Sequence, residues 1–198
     1  MTTPVLTISD LHQTFEKGTI NENHVLRGID LTMNSGDFIT IIGGNGAGKS
    51  TLLNSIAGTI PTEQGKIVLG DKEITRHSVT RRSKEISRVF QDPRMGTAVR
   101  LTVEENLALA YKRGQVRGFS SGVKGKHRAF FKEKLARLNL GLENRLTTEI
   151  GLLSGGQRQA ITLLMATLQQ PKLILLDEHT AALDPKTSMT VMALTDQL

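Results

Sequence analysis

The sequence Gly43-Gly-Asn-Gly-Ala-Gly-Lys-Ser50 fits the pattern G-x-x-x-x-G-K-[ST], which is typical of a phosphate-binding loop (a P-loop, or Walker A motif). The apolar run 37–42 precedes it and predicts a buried strand, while residues 49–57 show a helical pattern that Gly58 would end. The glycines let backbone N–H groups approach phosphate oxygens, and the helix N-terminus adds the positive end of its dipole. The sequence therefore predicts a strand, a phosphate-binding loop and a helix in direct succession.

Two side chains in this loop are candidates for nucleotide chemistry. Lys49 would reach the β- and γ-phosphates as a point charge, which also makes it a candidate catalytic residue, and Ser50 would offer its hydroxyl to Mg²⁺. The alternative is a chance match in a glycine-rich turn, which arises in roughly one chain in a hundred of this length. The candidate binding residues of the loop are Gly43, Gly44, Asn45, Gly46, Ala47, Gly48, Lys49, Ser50 and Thr51.

A second buried strand is predicted at residues 173–176, and two carboxylates follow it directly. Asp177 is placed to hold Mg²⁺ or its water, because ligands bind at the carboxyl ends of parallel strands. Glu178 is then free to act as the base that polarises an attacking water. The alternative is an ordinary strand end with two solvated acids.

The segment Leu153-Ser-Gly-Gly-Gln157 precedes an apolar-periodic helix. Ser154 and Gln157 match the S-x-x-Q capping box, so one interpretation is a well-capped helix. The other is a second anion site, because Gly155 and Gly156 expose N–H groups beside a helix N-terminus. The residues do not separate the two interpretations, since both use the same groups.

The N-terminal part of the chain predicts antiparallel strands within an α/β fold. Residues 5–8 and 25–31 are typical of such strands, and Gly70-Asp71 would form the tight turn of a hairpin between residues 67–69 and 73–74. These elements indicate an antiparallel β subdomain beside the core that holds the phosphate-binding loop.

The middle of the chain predicts helices instead. A capping box formed by Thr102 and Glu105 would begin one helix, and a second would run through Phe130 and Leu138 and end at Gly141. We therefore expect one domain, residues 1–198. Its parts are an α/β core of residues 1–92 and 159–198 and an inserted helical subdomain, 93–158, that contains the Ser-Gly-Gly-Gln segment.

Composition excludes several classes of protein. The chain has 198 residues, a net charge of +6 and no cysteine, which excludes a disulfide scaffold, a thiolate zinc site and an Fe–S cluster. No run of 18 apolar residues could span a membrane, and we expect no secretory signal at the N-terminus. The excess of basic residues suggests anionic partners, and the basic stretch 112–137 favours a solvated or lipid-proximal face over a nucleic-acid surface. We expect no nucleic-acid partner.

The order of these motifs resembles that of the ABC-type ATPase family over essentially the whole chain. The Walker A motif comes first, and Gln91 follows it, directly after a strand. The Leu-Ser-Gly-Gly-Gln segment of residues 153–157 is next, and then the Walker B motif, which is the strand 173–176 with Asp177 and Glu178. The last motif is Ala181-Ala-Leu-Asp184. The resemblance implies a P-loop NTPase fold with ATP and Mg²⁺ as cofactors. It also implies a head-to-tail dimer, in which each ATP lies between one subunit's P-loop and the other's signature helix.

The resemblance also implies roles for individual residues. Gln91 would sense Mg²⁺ and the lytic water as the Q-loop residue, Asp184 would lie at the dimer interface as the D-loop carboxylate, and Phe15 would stack on adenine. The alternative for Phe15 is a core aromatic residue. The signature residues that would contact the γ-phosphate in the other subunit are Ser154, Gly155, Gly156 and Gln157.

By this resemblance the chain is the ATP-hydrolysing subunit of an ABC transporter on the cytoplasmic face of the cell membrane. Its expected partners are a second cassette, permease subunits on separate chains and a solute-binding protein. Import is favoured over export, with amino acids as a guess at the solute. The alternatives are a non-transport ABC ATPase, disfavoured by the lack of sustained heptads between Gln91 and Ser154, and a non-catalytic nucleotide-binding fragment.

Two features depart from the family pattern. His179 follows Glu178 where the family usually has Pro, and a tolerated loop substitution is the favoured interpretation over a catalytic one. No His follows Asp184, so no residue takes the role of the family's switch His. We therefore expect a chain truncated at its C-terminus with impaired hydrolysis, against the alternative of a helix that ends there naturally.

Overall fold

The computed structural model describes residues 3–115, 123 and 125–177, without the side chain of Lys126. These residues form two compact units, and the boundary between Ile86 and Ser87 falls at the start of a strand that otherwise belongs to the second unit.

The first unit contains a four-stranded antiparallel sheet in the order β2-β1-β3-β4. Its strands are β1 (Leu6–Phe15), β2 (Asn23–Met33), β3 (Gln64–Leu69) and β4 (Lys72–Glu73). Buried side chains alternate with more exposed ones in β3 and in both halves of β1, as expected for a sheet with one covered face, and the alternation of β1 is interrupted at Ser9 and Asp10. The antiparallel strands and the Gly70-Asp71 hairpin predicted from the sequence are confirmed.

Two helices belong to this unit, α1 (Lys49–Ala57) and α2 (Val79–Arg82). Leu52, Leu53 and Ile56 of α1 are buried. Gly58 has a φ of 81° and donates its N–H to the carbonyls of the last turn, which a residue with a Cβ would do only under strain. The predicted helix and its glycine end are confirmed.

The prediction of a strand at residues 37–42 is wrong, because these residues form no strand in the structure. Residues 38–44 belong to neither sheet, and the side chains of Phe38 and Ile42 are 74% and 91% exposed. An apolar run forms a strand only where a neighbouring strand supplies ladder hydrogen bonds, and among the described residues no strand pairs with this run.

The second unit pairs strands β5 (Ile86–Val89) and β6 (Leu173–Leu176) in a two-stranded sheet. Its helices are α3 (Val103–Tyr111), α4 (Gly125–Ala136) and α5 (Gly155–Thr167), with short 3₁₀ turns at Leu142–Asn144 and Ile150–Leu152. A buried cluster joins α3, α4 and α5 into a helical core, which includes Val103, Leu107, Phe131, Leu135, Leu142, Ile150 and Ile161.

The capping box at the start of α3 is confirmed, since Thr102 and Glu105 exchange both hydrogen bonds. The second predicted helix ends earlier than Gly141. Helix α4 stops at Ala136, and Asn139 adopts a φ of 53°, a conformation that Asn tolerates because its short polar side chain can bond locally. Leu138 is buried although it lies beyond the helix end. Its apolar side chain therefore belongs to the core without being part of the helix.

Candidate functional site

The phosphate-binding loop lies at the N-terminus of α1. Gly48 precedes the helix with a φ of 91°, and the Ala47 N–H donates to the Gly44 carbonyl over 3.2 Å. The Lys49 ammonium donates to the carbonyls of Gly43 and Gly44 at 2.8 and 3.0 Å. The loop therefore holds a cation beside the positive end of a helix dipole, an arrangement that attracts an anion.

The glycines of the loop fit a bound phosphate. A side chain at Gly48 would be strained, because φ is 91° there and a Cβ would lie 3.0 Å from Cγ1 of Val25. A Cβ on Gly44 or Gly46 would instead meet no atom within 4 Å, and both residues are exposed. The backbone there faces open space, which leaves room for phosphate oxygens to approach the amides.

Phe15 is the last residue of β1 and pairs with Asn23 of β2. Its side chain is 37% exposed, so it is not a core residue and offers a ring face for stacking. Glu63 fixes the adjoining backbone, because its carboxylate accepts the Thr14 N–H at 2.8 Å and the Lys17 ammonium at 2.6 Å.

This carboxylate predicts a pH dependence of stability. Its hydrogen bonds from Lys17, and then from Thr14, lower the pKa of Glu63 to about 2 from its ordinary 4.5. A carboxyl whose pKa is lower when folded contributes stability above its unfolded pKa, and that contribution disappears as the pH falls from about 4.5 towards 2. We expect Glu63→Gln to flatten the fall of the urea midpoint over this range. Glu16→Gln, a neighbouring exposed carboxylate, should keep the wild-type profile, and an unchanged profile in Glu63→Gln would contradict the assignment.

The second unit brings Gln91 and Asp177 to the ends of paired strands. Asp177 follows β6, and its N–H donates to the carbonyl of Val89, the last residue of β5, at 3.1 Å. Gln91 lies two residues after Val89, just beyond the end of β5. The sequence prediction that both follow buried strands is confirmed by this pairing.

Arg88 also contacts this edge and is not among the site residues predicted from the sequence. Its guanidinium donates to Oδ2 of Asp177 at 2.8 Å and lies over the Phe90 ring, 4.7 Å from the centroid. The side chains of Arg88 and Asp177 are 13% and 16% exposed, so solvent screens the ion pair between them little. The feature of the sequence that could have identified it is an arginine within the short, largely apolar strand that ends two residues before Gln91.

The carboxylate of Asp177 fits a hard cation. Its Oδ2 accepts a hydrogen bond from Arg88 at 2.8 Å, which orients the carboxylate. An oriented carboxylate oxygen is a ligand that Mg²⁺ prefers. The same part of the chain contains no group of three or more His, Cys, Asp or Glu side chains that could hold a metal.

The signature segment forms the start of α5. The Ser154 hydroxyl accepts the Gln157 N–H at 3.2 Å, and the Gln157 side chain accepts the Ser154 N–H at 3.3 Å. The capping box is therefore confirmed. Ser154 and Gly155 are exposed whereas Gly156 is buried, so the exposed end of this helix can still receive an anion.

The structure distributes the predicted site residues between the units. Phe15 and the loop residues 43–51 lie in the first unit, whereas Gln91, Asp177 and the signature residues lie in the second. Glu178, His179 and Asp184 lie outside the described residues. Among the helices that are described, none is long and apolar enough to cross a membrane.

Comparisons with known proteins give one consistent result. A family model described as ABC transporter matches residues 26–181. The tyrosine transport ATP-binding protein of Clostridioides difficile (strain R20291) is 41% identical over 194 residues, covering 98% of this chain and 77% of the relative. A phosphonates import ATP-binding protein, PhnC 1 of Rhodopseudomonas palustris (strain BisB18), is 36% identical over 198 residues, covering 98% and 70%.

Solved structures show the same similarity. A dimeric ATP-binding cassette in a post-hydrolysis state, bound to ADP and Pi, aligns with a TM-score of 0.81 and 28% identity over 98% of this chain and 82% of that one. The cbiO1 protein from Clostridium perfringens, part of the ABC transporter complex cbiONQ, aligns with a TM-score of 0.77 and 26% identity, covering 98% and 73%. The chain has a mixed α/β P-loop NTPase fold with an N-terminal antiparallel β subdomain and helices, and it belongs to the ABC transporter family as an ATP-binding subunit that hydrolyses ATP.

Proposed function

We propose that this chain drives a membrane importer, with ATP bound at the loop of residues 43–51. The observation that carries the proposal is the Lys49 ammonium, which lies against the loop carbonyls at the N-terminus of α1. The exposed backbone at Gly44 and Gly46 supports it, because phosphate oxygens need that approach. Phe15 would stack its exposed face on the adenine ring.

Each proposed catalytic residue acts on one part of the hydrolysis reaction. Glu178 accepts a proton from water, whose oxygen bonds to the γ-phosphorus as the bond to the β–γ bridging oxygen breaks, leaving ADP and phosphate. Lys49 and the loop amides stabilise the charge that develops on the phosphate oxygens. Ser50, Gln91 and Asp177 would hold Mg²⁺, which when bound neutralises charge on the β- and γ-phosphates.

We further propose a head-to-tail homodimer. The exposed end of α5 at Ser154 and Gly155 would approach the γ-phosphate bound by the other subunit, aided by Gly156 and Gln157. The Ser154 hydroxyl accepts the cap hydrogen bond, which leaves its own proton to donate to a phosphate oxygen. Asp184 would lie at the interface. The dimeric relative bound to ADP and Pi supports this arrangement.

The transporter would be completed by other chains. We propose permease subunits on separate chains, a solute-binding protein, and a position on the cytoplasmic face of the membrane, with residues 93–158 as the helical subdomain inserted in a core of 1–92 and 159–198. Amino acids are the proposed solute class, supported by the relative named for tyrosine transport. We propose that nucleic acid is not among its partners.

The test is to purify the endogenous protein in mild detergent and to measure the intact masses of all co-purifying chains. We expect apolar membrane proteins of permease size and an amino-acid dependence of ATPase activity in the recovered complex. Recovery with ribosomes or DNA instead would contradict the transport function. A phosphonate dependence would contradict only the solute class.

A further inference from the structure

Arg82 is the last residue of α2 and is almost completely buried, with 3% of its surface exposed. All three nitrogens of its guanidinium donate to main-chain carbonyls. The hydrogen bonds run from Nε to His77 at 3.0 Å, from Nη1 to Ser55 at 2.6 Å and Ile56 at 2.8 Å, and from Nη2 to Thr75 at 2.8 Å.

This burial needs an explanation, because a buried cation is costly unless its donors are satisfied. Desolvation lowers the pKa of Arg82 from its ordinary value, and no carboxylate within the described ranges pairs with it. The compensation comes instead from the carbonyls of Ser55 and Ile56, which lie in the last turn of α1. The last carbonyls of a helix form the negative end of its dipole and lack partners within the helix.

Gly58 is part of the same arrangement. A Cβ at this position would lie 2.8 Å from Nε of Arg82, closer than real side-chain contacts allow. The glycine that ends α1 therefore also makes room for the guanidinium. Arg82 joins this helix end to the segment of Thr75 and His77 through hydrogen bonds to both.

The other end of α1 carries the phosphate-binding loop. The helix has nine residues, so its two ends lie about 13 Å apart. A helix this short has little stability of its own and takes its direction from the contacts that anchor it. Since residues 43–47 are exposed, the anchoring at the C-terminal end contributes to the direction in which the loop amides and Lys49 point.

We propose that Arg82 is a positioning residue for nucleotide binding, which fixes α1 at its C-terminus and so orients the phosphate-binding loop at its N-terminus. The inference rests on the proposed role of this loop as the ATP site. Arg82 touches neither the loop nor the reacting atoms, so its loss should weaken binding more than turnover.

The test compares Arg82→Met, Arg82→Lys and the control Arg81→Met, an exposed arginine on the same short helix. The dissociation constant of a fluorescent ATP analogue is measured by anisotropy at a temperature where circular dichroism shows each variant folded, and KM and kcat for ATP are measured alongside. We expect binding and KM to weaken about 10-fold for Arg82→Met with kcat within 2-fold of wild type. For Arg82→Lys, which keeps the charge but has fewer hydrogen-bond donors, we expect binding and KM to weaken about 3-fold. For Arg81→Met we expect neither to change.

A lower melting temperature with unchanged nucleotide affinity would overturn the inference, because a purely structural residue produces that result. If Arg82→Met does not fold, Arg82→Lys decides by the same criterion. A wild-type chain that is folded but binds no nucleotide would overturn the proposed function and the inference together. Nucleotide binding by the wild type, matched by both Arg82 variants, would overturn the inference alone.

Discussion

Replacing Lys49 by alanine abolishes ATP binding at ordinary nucleotide concentrations, with a dissociation constant raised about 100-fold or more. A hydrogen bond to a charged group contributes roughly 1.5–3 kcal/mol, and an ammonium between two phosphates makes more than one. The ammonium also bonds the carbonyls of Gly43 and Gly44. Its removal therefore takes away the phosphate contact and the fixed shape of the loop at the same time. Isothermal titration calorimetry with ATP measures the effect.

The matched control for Lys49 is Lys66→Ala. Lys66 is a half-exposed lysine of β3 in the same unit, paired with Glu73 at 3.1 Å, so its loss changes the net charge equally without touching the loop. We expect Lys66→Ala to bind ATP as the wild type does. Equal affinities of Lys49→Ala and Lys66→Ala would place the nucleotide elsewhere.

Replacing Glu178 by glutamine stops hydrolysis and traps an ATP-bound dimer. Glutamine cannot accept the proton of the attacking water, and loss of a general base typically lowers turnover by about 10²- to 10⁴-fold. Binding is retained, because the loop and Lys49 are unchanged. Light scattering after size-exclusion chromatography with ATP and Mg²⁺ should show a mass twice the 21.6 kDa of one chain, and a single 21.6 kDa species with ADP.

Glu149→Gln is the control for this substitution, since Glu149 is an exposed carboxylate before α5. It should turn ATP over at the wild-type rate and show no persistent dimer. Turnover by Glu178→Gln at the rate of the parent chain would show that another group is the base.

Local features of the fold were predictable from sequence. The ends of α1 and the caps of α3 and α5 depend on residues one to four positions apart, such as Gly58 after the helix and Ser154 with Gln157. These interactions are encoded within a single turn, so a pattern of residue types suffices to identify them. The same holds for the loop itself, whose glycines and Lys49 follow one another directly.

Features that depend on distant partners were not predictable. The run 37–42 has the composition of a buried strand, but pairing, which composition does not specify, decides whether a strand forms. Arg82 bonds carbonyls 26 and 27 residues earlier, and Arg88 bonds a carboxylate 89 residues later. A single arginine in the sequence gives no indication of which of these distant groups it will contact.

The most direct test of the account is cross-linking between two single-cysteine variants, Asn45→Cys in the loop and Gly155→Cys in the signature segment. The chain has no native cysteine, and both positions are exposed. The variants are mixed in the Glu178→Gln background and treated with a short bismaleimide, and the dimeric products are identified by mass spectrometry. We expect links between position 45 of one chain and position 155 of another, formed with ATP and absent without it. Links that join 45 to 45 or 155 to 155, or a yield that does not depend on ATP, would contradict a nucleotide bound between the loop of one subunit and the signature of its partner.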